Sequence, residues 1–380
     1  MLHHQDNSLI RLESSGQSVW LDHIRRDLLD DGSLRRLVDE DGISGLTSNP
    51  AIFERAIRSG VYAEAIANCR QAGLSPEATF ERLAVEDIQQ AAEILSPIYQ
   101  ASRQVDGYVS LEVSPALADD AEASCAAARR IWSLVGHPNL MVKIPATSAG
   151  IHAIRVLVGE GININATLLF SRHVYAEVAS AYLAGLEHWQ SQGGDISKVA
   201  SVASFFVSRI DTAIDRLIQD RLAKTEQQDK DGLESLLGKA AIASAKQAYQ
   251  DYLLIRKSKQ WRMLEQAGAN PQRLLWASTS TKNPAYRDVL YVEELIGPET
   301  VTTVPLETLA SFRDHGIPRS SLTESPDEAR AVLESLAVHE ISLEAVTQQL
   351  TRDGVELFRQ ANDRLLSTLA SNESQHEESQ

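Results

Sequence analysis

Short apolar runs rich in Val, Ile and Leu alternate along this chain with longer segments of helical period, and few architectures accommodate that alternation. A strand covered on both faces reads as one continuous apolar run, and parallel strands need helical crossovers to bring the chain back. About eight such runs are present, the number that closes a (β/α) barrel. They are Val19 to His23, Gly42 to Ser48, Tyr108 to Val113, Leu140 to Ala146, Ile162 to Phe170, Val199 to Ile210, Arg273 to Ser278 and Val301 to Val304. The expected fold class is therefore α/β, an eight-stranded (β/α) TIM barrel with extra helices in a single domain.

The intervening segments carry helix signals. Asp119 and Asp120 are placed to cap a helix with Cys125, Ala128, Ile131 and Trp132 inward, and Gly136 with Pro138 ends it. Ser171 does the same for a stretch with Val174, Val178, Leu183 and Leu186 inward, closed by Gly193 and Gly194. Val85, Ile88, Leu95 and Ile98 form another apolar stripe. Two helical excursions are longer than a barrel needs, one between the second and third strands and one from Asp211 to Asn270. In the latter the polar stretch Thr225 to Asp231, ended by Gly232, reads as a turn between helices. Val355, Phe358, Leu365, Leu366 and Leu369 belong to helices able to close the barrel and pack across it. The barrel is expected to span 15–370, after a polar N-terminal segment at 1–14. Residues 371–380 are polar and acidic without an apolar anchor, so a disordered tail is expected there.

Of the 380 residues, 43% are hydrophobic and 23% charged, which suffices for a large core. A formal charge of -16 repels nucleic acid and anionic membrane, so neither is expected as a partner. An anionic small molecule must then be held by a few local cations. Cys69 and Cys125 are far apart and in no ligand spacing, no disulfide is expected, and no run approaches membrane-spanning length. The chain begins without a basic cap and apolar stretch, so a cytoplasmic protein is expected, as monomer or homodimer.

Lys143 stands alone inside the apolar run Leu140 to Ala146. Burial disfavours an ammonium and so favours the free amine, which attacks carbonyl carbon and forms a Schiff base. The other runs carry polar residues near their C-terminal ends too: Asp22, Asn49, Glu112, Asn165 with Thr167, and Ser204 with Arg209 in the sixth strand. In a closed parallel barrel all those ends meet on one face. Imine formation needs a group to shuttle protons through the carbinolamine, and aldol cleavage needs a second base. Two carboxylates divide that labour, amides and hydroxyls hold a polyol, and a cation holds phosphate.

Each residue also has a plainer reading. Lys143 can end its strand with its head in water, Asp22 can cap a helix, and Glu112 can pair with Lys143 as a buried ion pair. Arg209 can bridge to Asp211, Asn165 can satisfy strand-end backbone, and Asn49 before Pro50 is a turn signal. His23, His137, His152 and His173 lie at no ligand-like spacing, so no metal site is expected.

Three stretches resemble a known family. Gly45 to Phe53, GLTSNPAIF, resembles the first signature of the transaldolases. Leu140 to Thr147, LMVKIPAT, with Gly150-Ile151 and Gly161 to Ser171, GININATLLFS, resembles the segment around their Schiff-base lysine. The resemblance runs from Val19 to the helices near Leu369 and is nearest to the longer bacterial type. It implies a class I aldolase barrel working without metal or organic cofactor in the non-oxidative pentose phosphate pathway, moving a dihydroxyacetone unit between sugar phosphates. It further implies Lys143 as nucleophile, Asp22 as the base in cleavage, and Glu112 with Thr167 as the pair that activates water. Thr47, Asn49, Asn165 and Ser204 would bind the three-carbon unit beside Phe206. Arg209 fits a phosphate-binding arginine, while Ser280 and Lys282 align with a family serine and arginine, lysine keeping the charge without the bidentate fork. The rival expectations are a Schiff-base fructose 6-phosphate aldolase and a catalytically silent barrel that binds sugar phosphate.

Overall fold

A strand with both faces covered is buried along its length, and the strands of this chain are almost wholly so. In the computed structural model, which describes residues 7–224 and 230–371, eight parallel strands close a barrel in sequence order. They are β1 (Gln17–Leu21), β2 (Ile43–Thr47), β3 (Tyr108–Glu112), β4 (Leu140–Pro145), β5 (Ile164–Leu169), β6 (Ser201–Phe206), β7 (Arg273–Ala277) and β8 (Thr300–Val304). β8 pairs with β1 to complete the ring. Every residue of β3 to β8 is buried, the pattern that made these runs visible as strands. All eight expected strands are present, with ends displaced by a few residues.

One displacement matters for function. The sixth strand was expected to run to Ile210 but stops at Phe206, and Ser208–Leu222 is a helix. Val207 leaves the extended region, and the backbone N–H of Ser208 turns to the carbonyl of Ser278 at 3.1 Å. Arg209 therefore sits in the first turn of that helix, not in a strand.

Helix starts follow the capping residues. Asp120 accepts a hydrogen bond from the Ala123 N–H at the head of helix Ala121–Val135, which Gly136 ends in the left-handed conformation. Ser171 caps Arg172–Ser191 through the His173 N–H. Of the stripe in helix Pro76–Ala101, Ile88 and Leu95 are fully buried. Each such side chain contributes about 1.5–3 kcal/mol of burial free energy.

Leu9 and Leu12 are buried, so the apolar part of the N-terminal segment packs on the body, and helix Ile10–Ser14 lies against β1. Of the expected turn at Thr225 to Asp231, 225–229 lie outside the described residues, whereas Asp231 and Gly232 lie in helix Lys230–Glu234. The proposed tail likewise falls outside the described residues beyond Ser371. Among the described residues no helix is long and apolar enough to cross a membrane.

The barrel floor is sealed by polar contacts. Arg273 of β7 bonds to Asp106, Ser18 and the Val105 carbonyl, and Trp20 donates to Asp106 at 2.9 Å. The open end is crossed by helix Leu343–Ser371. Its Arg364 grips Glu54 after β2, its Arg359 bonds to Asp119 after β3, and its Gly354 meets Leu168 of β5. A β-carbon at Gly354 would lie 3.0 Å from the Leu168 side chain, so glycine permits the close approach.

Candidate active site

Side chains of a strand alternate in direction, and in this barrel the alternation turns polar residues inward near the C-terminal ends. Register places Glu112, Lys143 and Asn165 side by side on β3, β4 and β5. Two hydrogen-bond chains flank the lysine. On one side Asn165 donates to Ser110 Oγ at 3.0 Å and accepts from Ser204 Oγ at 2.7 Å. On the other Thr47 donates to Asp22 Oδ1 at 2.8 Å, so the Thr303 hydroxyl, 2.7 Å from Thr47, must be the donor to it. Asp22 follows β1, its N–H bonded to the Val304 carbonyl, and it caps no helix.

The Lys143 amine is buried. It donates to the Ser48 carbonyl at 3.1 Å and lies 3.6 Å from Glu112 Oε2. The side chain is 6% exposed, which excludes the reading of a strand-ending lysine with its head in water. The Glu112 side chain is 2% exposed and neither of its carboxyl oxygens has a hydrogen-bond partner among the described residues. Burial pushes its carboxyl up to about 7 against the opposing pull of Lys143. Thr167 is fully buried with its hydroxyl likewise unpartnered. It ends the regular part of β5: the pairing with β6 shifts register between Ala166 and Leu169, and Leu168 adopts a left-handed φ of 59°. A leucine there is strained, and such strain clusters at functional positions.

A cavity of about 530 Å3 opens above the lysine. Its wall includes Asp22, Thr47, Asn49, Lys143, Ser204, Phe206, Arg209, Ser280 and Lys282. Of the twelve expected residues, Glu112, Asn165 and Thr167 do not reach this wall. Both polar ends of the Asn165 amide are engaged within the protein, so it orients Ser110 and Ser204 as the chain stands. Asn49 does what a turn residue does, its Oδ1 capping helix Pro50–Arg58 through the Ile52 N–H, and it still faces the cavity.

Cations gather at one end. Arg209 is half-buried with its guanidinium over the Phe206 ring at 5.4 Å, and burial lowers its pKa against the attraction of Asp22. The expected alternative, a bridge to Asp211, is absent because Asp211 accepts instead from Tyr291 and the Ala241 N–H. Lys282 is hydrogen-bonded to Ser280, and desolvation together with Arg209 holds its ammonium below the ordinary lysine value. Neither cation has an ion-pair partner among the described residues.

Several wall residues were not expected. Arg55 lies on the second turn of a helix, beyond the reach of a rule about strand ends, and donates to the Ala51 carbonyl. Arg25 is spent on a bidentate pair with Asp27. Thr303 sits within β8, and Ser110, behind the wall in β3, lies two residues before Glu112 on the same face, an alternation that could have found it. Phe358 comes from the helix that crosses the mouth.

The family model described as Transaldolase/Fructose-6-phosphate aldolase matches residues 19–369 of this chain. Among similar proteins is one named Transaldolase 2 from Nostoc sp. (strain PCC 7120 / SAG 25.82 / UTEX 2576), 45% identical over 370 residues, covering 96% of this chain and 97% of that one. One named Transaldolase from Trichodesmium erythraeum (strain IMS101) is 43% identical over 367 residues, with the same coverage of 96% and 97%. Another named Transaldolase, from Thiobacillus denitrificans (strain ATCC 25259 / T1), is 45% identical over 355 residues, 93% of this chain and 97% of that one.

Proposed function

The chain belongs to the transaldolase/fructose-6-phosphate aldolase family, and from that footing we propose that it is a transaldolase of the non-oxidative pentose phosphate pathway. It moves a dihydroxyacetone unit from sedoheptulose 7-phosphate or fructose 6-phosphate to erythrose 4-phosphate or glyceraldehyde 3-phosphate.

The Lys143 amine adds to the ketone carbon of the donor. Glu112, with a pKa near neutrality, gives and takes the protons of the carbinolamine as water leaves, and the unpartnered Thr167 hydroxyl positions that water. Asp22, steadied by Thr47, then takes the proton of the donor's C4 hydroxyl while the C3–C4 bond breaks and its electron pair flows into the iminium. An aldose phosphate departs and an enamine stays on the lysine. The acceptor aldehyde enters the same cavity, the steps reverse, and water hydrolyses the new imine. Asn49 and Ser204 hold the three-carbon unit meanwhile, with Phe206 against it and Asn165 orienting Ser204 through its amide oxygen. Arg209, Ser280 and Lys282 hold the phosphate in a protein whose overall charge would otherwise repel it.

One observation supports this reading above the rest: the Lys143 amine is buried 3.6 Å from an unpartnered carboxylate and faces the cavity that Asp22 and the cations share. Borohydride added with fructose 6-phosphate should fix a three-carbon adduct on the peptide bearing Lys143, by mass mapping. No adduct would leave a silent sugar-binding barrel. Release of free dihydroxyacetone at the same rate with and without acceptor aldehyde would make the enzyme an aldolase instead. We also place it in the cytoplasm, as a monomer or homodimer without nucleic-acid or membrane partners and without a cofactor.

A further inference from the structure

Arg209 lies in the helix after β6 and Lys282 in the loop after β7, and covalent connectivity does not fix the distance between them. They repel each other, as the depressing effect of Arg209 on the Lys282 ammonium shows. An anion that needs both at once is bound tightly only if the fold holds them together beforehand. The segment from Ser278 to Val289 joins β7 to helix Leu290–Glu293 and carries Ser280 and Lys282.

Helix Ser208–Leu222, which carries Arg209, presents two buried aspartates one turn apart, Asp211 and Asp215. Each uses one oxygen at the start of helix Ala240–Lys257. Asp211 Oδ1 accepts from the Ala241 N–H at 2.7 Å and Asp215 Oδ1 from the Gly238 N–H at 2.9 Å. The other oxygen of each accepts a tyrosine hydroxyl, Tyr291 at 3.0 Å on Asp211 and Tyr286 at 2.7 Å on Asp215. Gly238 has a φ of 68°, and a β-carbon there would come within 2.8 Å of the Tyr286 ring, so only glycine admits the tyrosine. At its near end the loop is tied again, Ser278 Oγ lying 3.0 Å from Ser208 Oγ. Within it Thr281 Oγ1 donates to the carbonyls of Arg287 and Asp288, which links the neighbourhood of Lys282 to that of Tyr286.

We infer that Asp215 and Tyr286, seconded by Asp211 and Tyr291, are positioning residues: they clamp the loop of Ser280 and Lys282 to the helix of Arg209 and so set the spacing of the phosphate site. None of the four is assigned to touch the sugar. The inference rests on the reading of Arg209, Ser280 and Lys282 as the phosphate-holding groups. It assigns the clamp to binding of the phosphate and leaves the chemistry at Lys143 untouched.

Tyr286→Phe in the full-length enzyme removes one hydroxyl and keeps the ring. The KM for fructose 6-phosphate should rise about fivefold, the effect of one ordinary hydrogen bond lost. Turnover should stay within about twofold, and kcat/KM for unphosphorylated fructose should not change. In a Lys282→Ala background the same substitution should add little, because its effect passes through Lys282. Asp215→Asn should reproduce the pattern should the tyrosine variant fold poorly. Equal losses on fructose and fructose 6-phosphate, or full additivity with Lys282→Ala, would reduce the clamp to a general structural role. Unchanged KM in Lys282→Ala and Arg209→Ala would instead strike the phosphate reading itself. Raised KM in those two with none in Tyr286→Phe or Asp215→Asn would overturn the clamp alone.

Discussion

The Lys143 amine lies 3.6 Å from Glu112 Oε2 and gives its hydrogen bond to the Ser48 carbonyl instead. A buried pair built for stability would close that gap, since only good geometry repays the desolvation of two charges. Here the carboxyl oxygens are left without partners and the carboxyl is pushed toward neutrality. Such a pair gives up stability and keeps both groups available for proton transfer.

Removing the amine should remove the chemistry and spare the fold. Lys143→Ala is expected to show no borohydride-trapped mass increment and no turnover, with a circular dichroism spectrum like that of the parent. Near-normal turnover in this variant would sink the assignment.

For Glu112 the sign of a pH effect can be worked out. Its carboxyl rises from an ordinary 4.5 to about 7 on folding, so between those values the folded protein keeps a proton that the unfolded chain has released. The stability it contributes is fully present below about 4.5 and is lost as pH rises through about 7. Glu112→Gln has no such loss, and its stability relative to the parent should climb across that window in urea titrations at several pH values. The same variant should form the trapped adduct about a hundredfold more slowly. Parallel stability curves would remove the raised pKa from the account.

Asp22 acts after the imine in the proposed sequence. Asp22→Ala should therefore still yield an adduct by intact mass, while overall transfer falls by about two to four orders of magnitude. An adduct missing altogether would place Asp22 in imine formation and contradict the division of labour between the two carboxylates.

The barrel was legible because a strand buried on both faces leaves an unbroken apolar run, and because helix caps such as Asp120 and Ser171 act through local backbone bonds. The end of β6 was not legible. Val207 to Ile210 has no local stop signal, and the turn into the helix is fixed by Ser278, about seventy residues away. Site residues were legible where they interrupt a strand, as Lys143 and Glu112 do. Arg55 and the clamp of Asp215 with Tyr286 were not, since Arg55 and Asp215 project from helices and Tyr286 from a long loop, and only tertiary packing sets their orientation.

Arg209 is a cation without an ion-pair partner among the described residues, facing a cavity in an acidic protein. Arg209→Ala should raise the KM for fructose 6-phosphate by about 10- to 100-fold, the range of a lost charge-assisted contact, while fructose is affected little. Inhibition by inorganic phosphate should weaken in parallel. An unchanged KM would take Arg209 out of the phosphate site.

The helix over the barrel mouth is tethered by Arg364, whose guanidinium bonds to both oxygens of Glu54 at 2.8 and 2.9 Å. Glu54 is buried and Arg364 is half exposed, so the carboxylate depends on the arginine more than the reverse. The pair holds the Glu54 carboxyl below its ordinary value of 4.5. Its stabilisation is thus fully present above about 4.5 and is lost as pH falls through the lowered value. Arg364→Ala should lower the urea midpoint at pH 7, and the gap from the parent should narrow on acidification. Because the same helix brings Phe358 to the cavity, amide exchange over 343–371 should quicken in the variant, and KM should rise with it. A gap that stayed constant from pH 7 to pH 3.5 would mean that Arg364 acts through the packing of its stem and not through its charge.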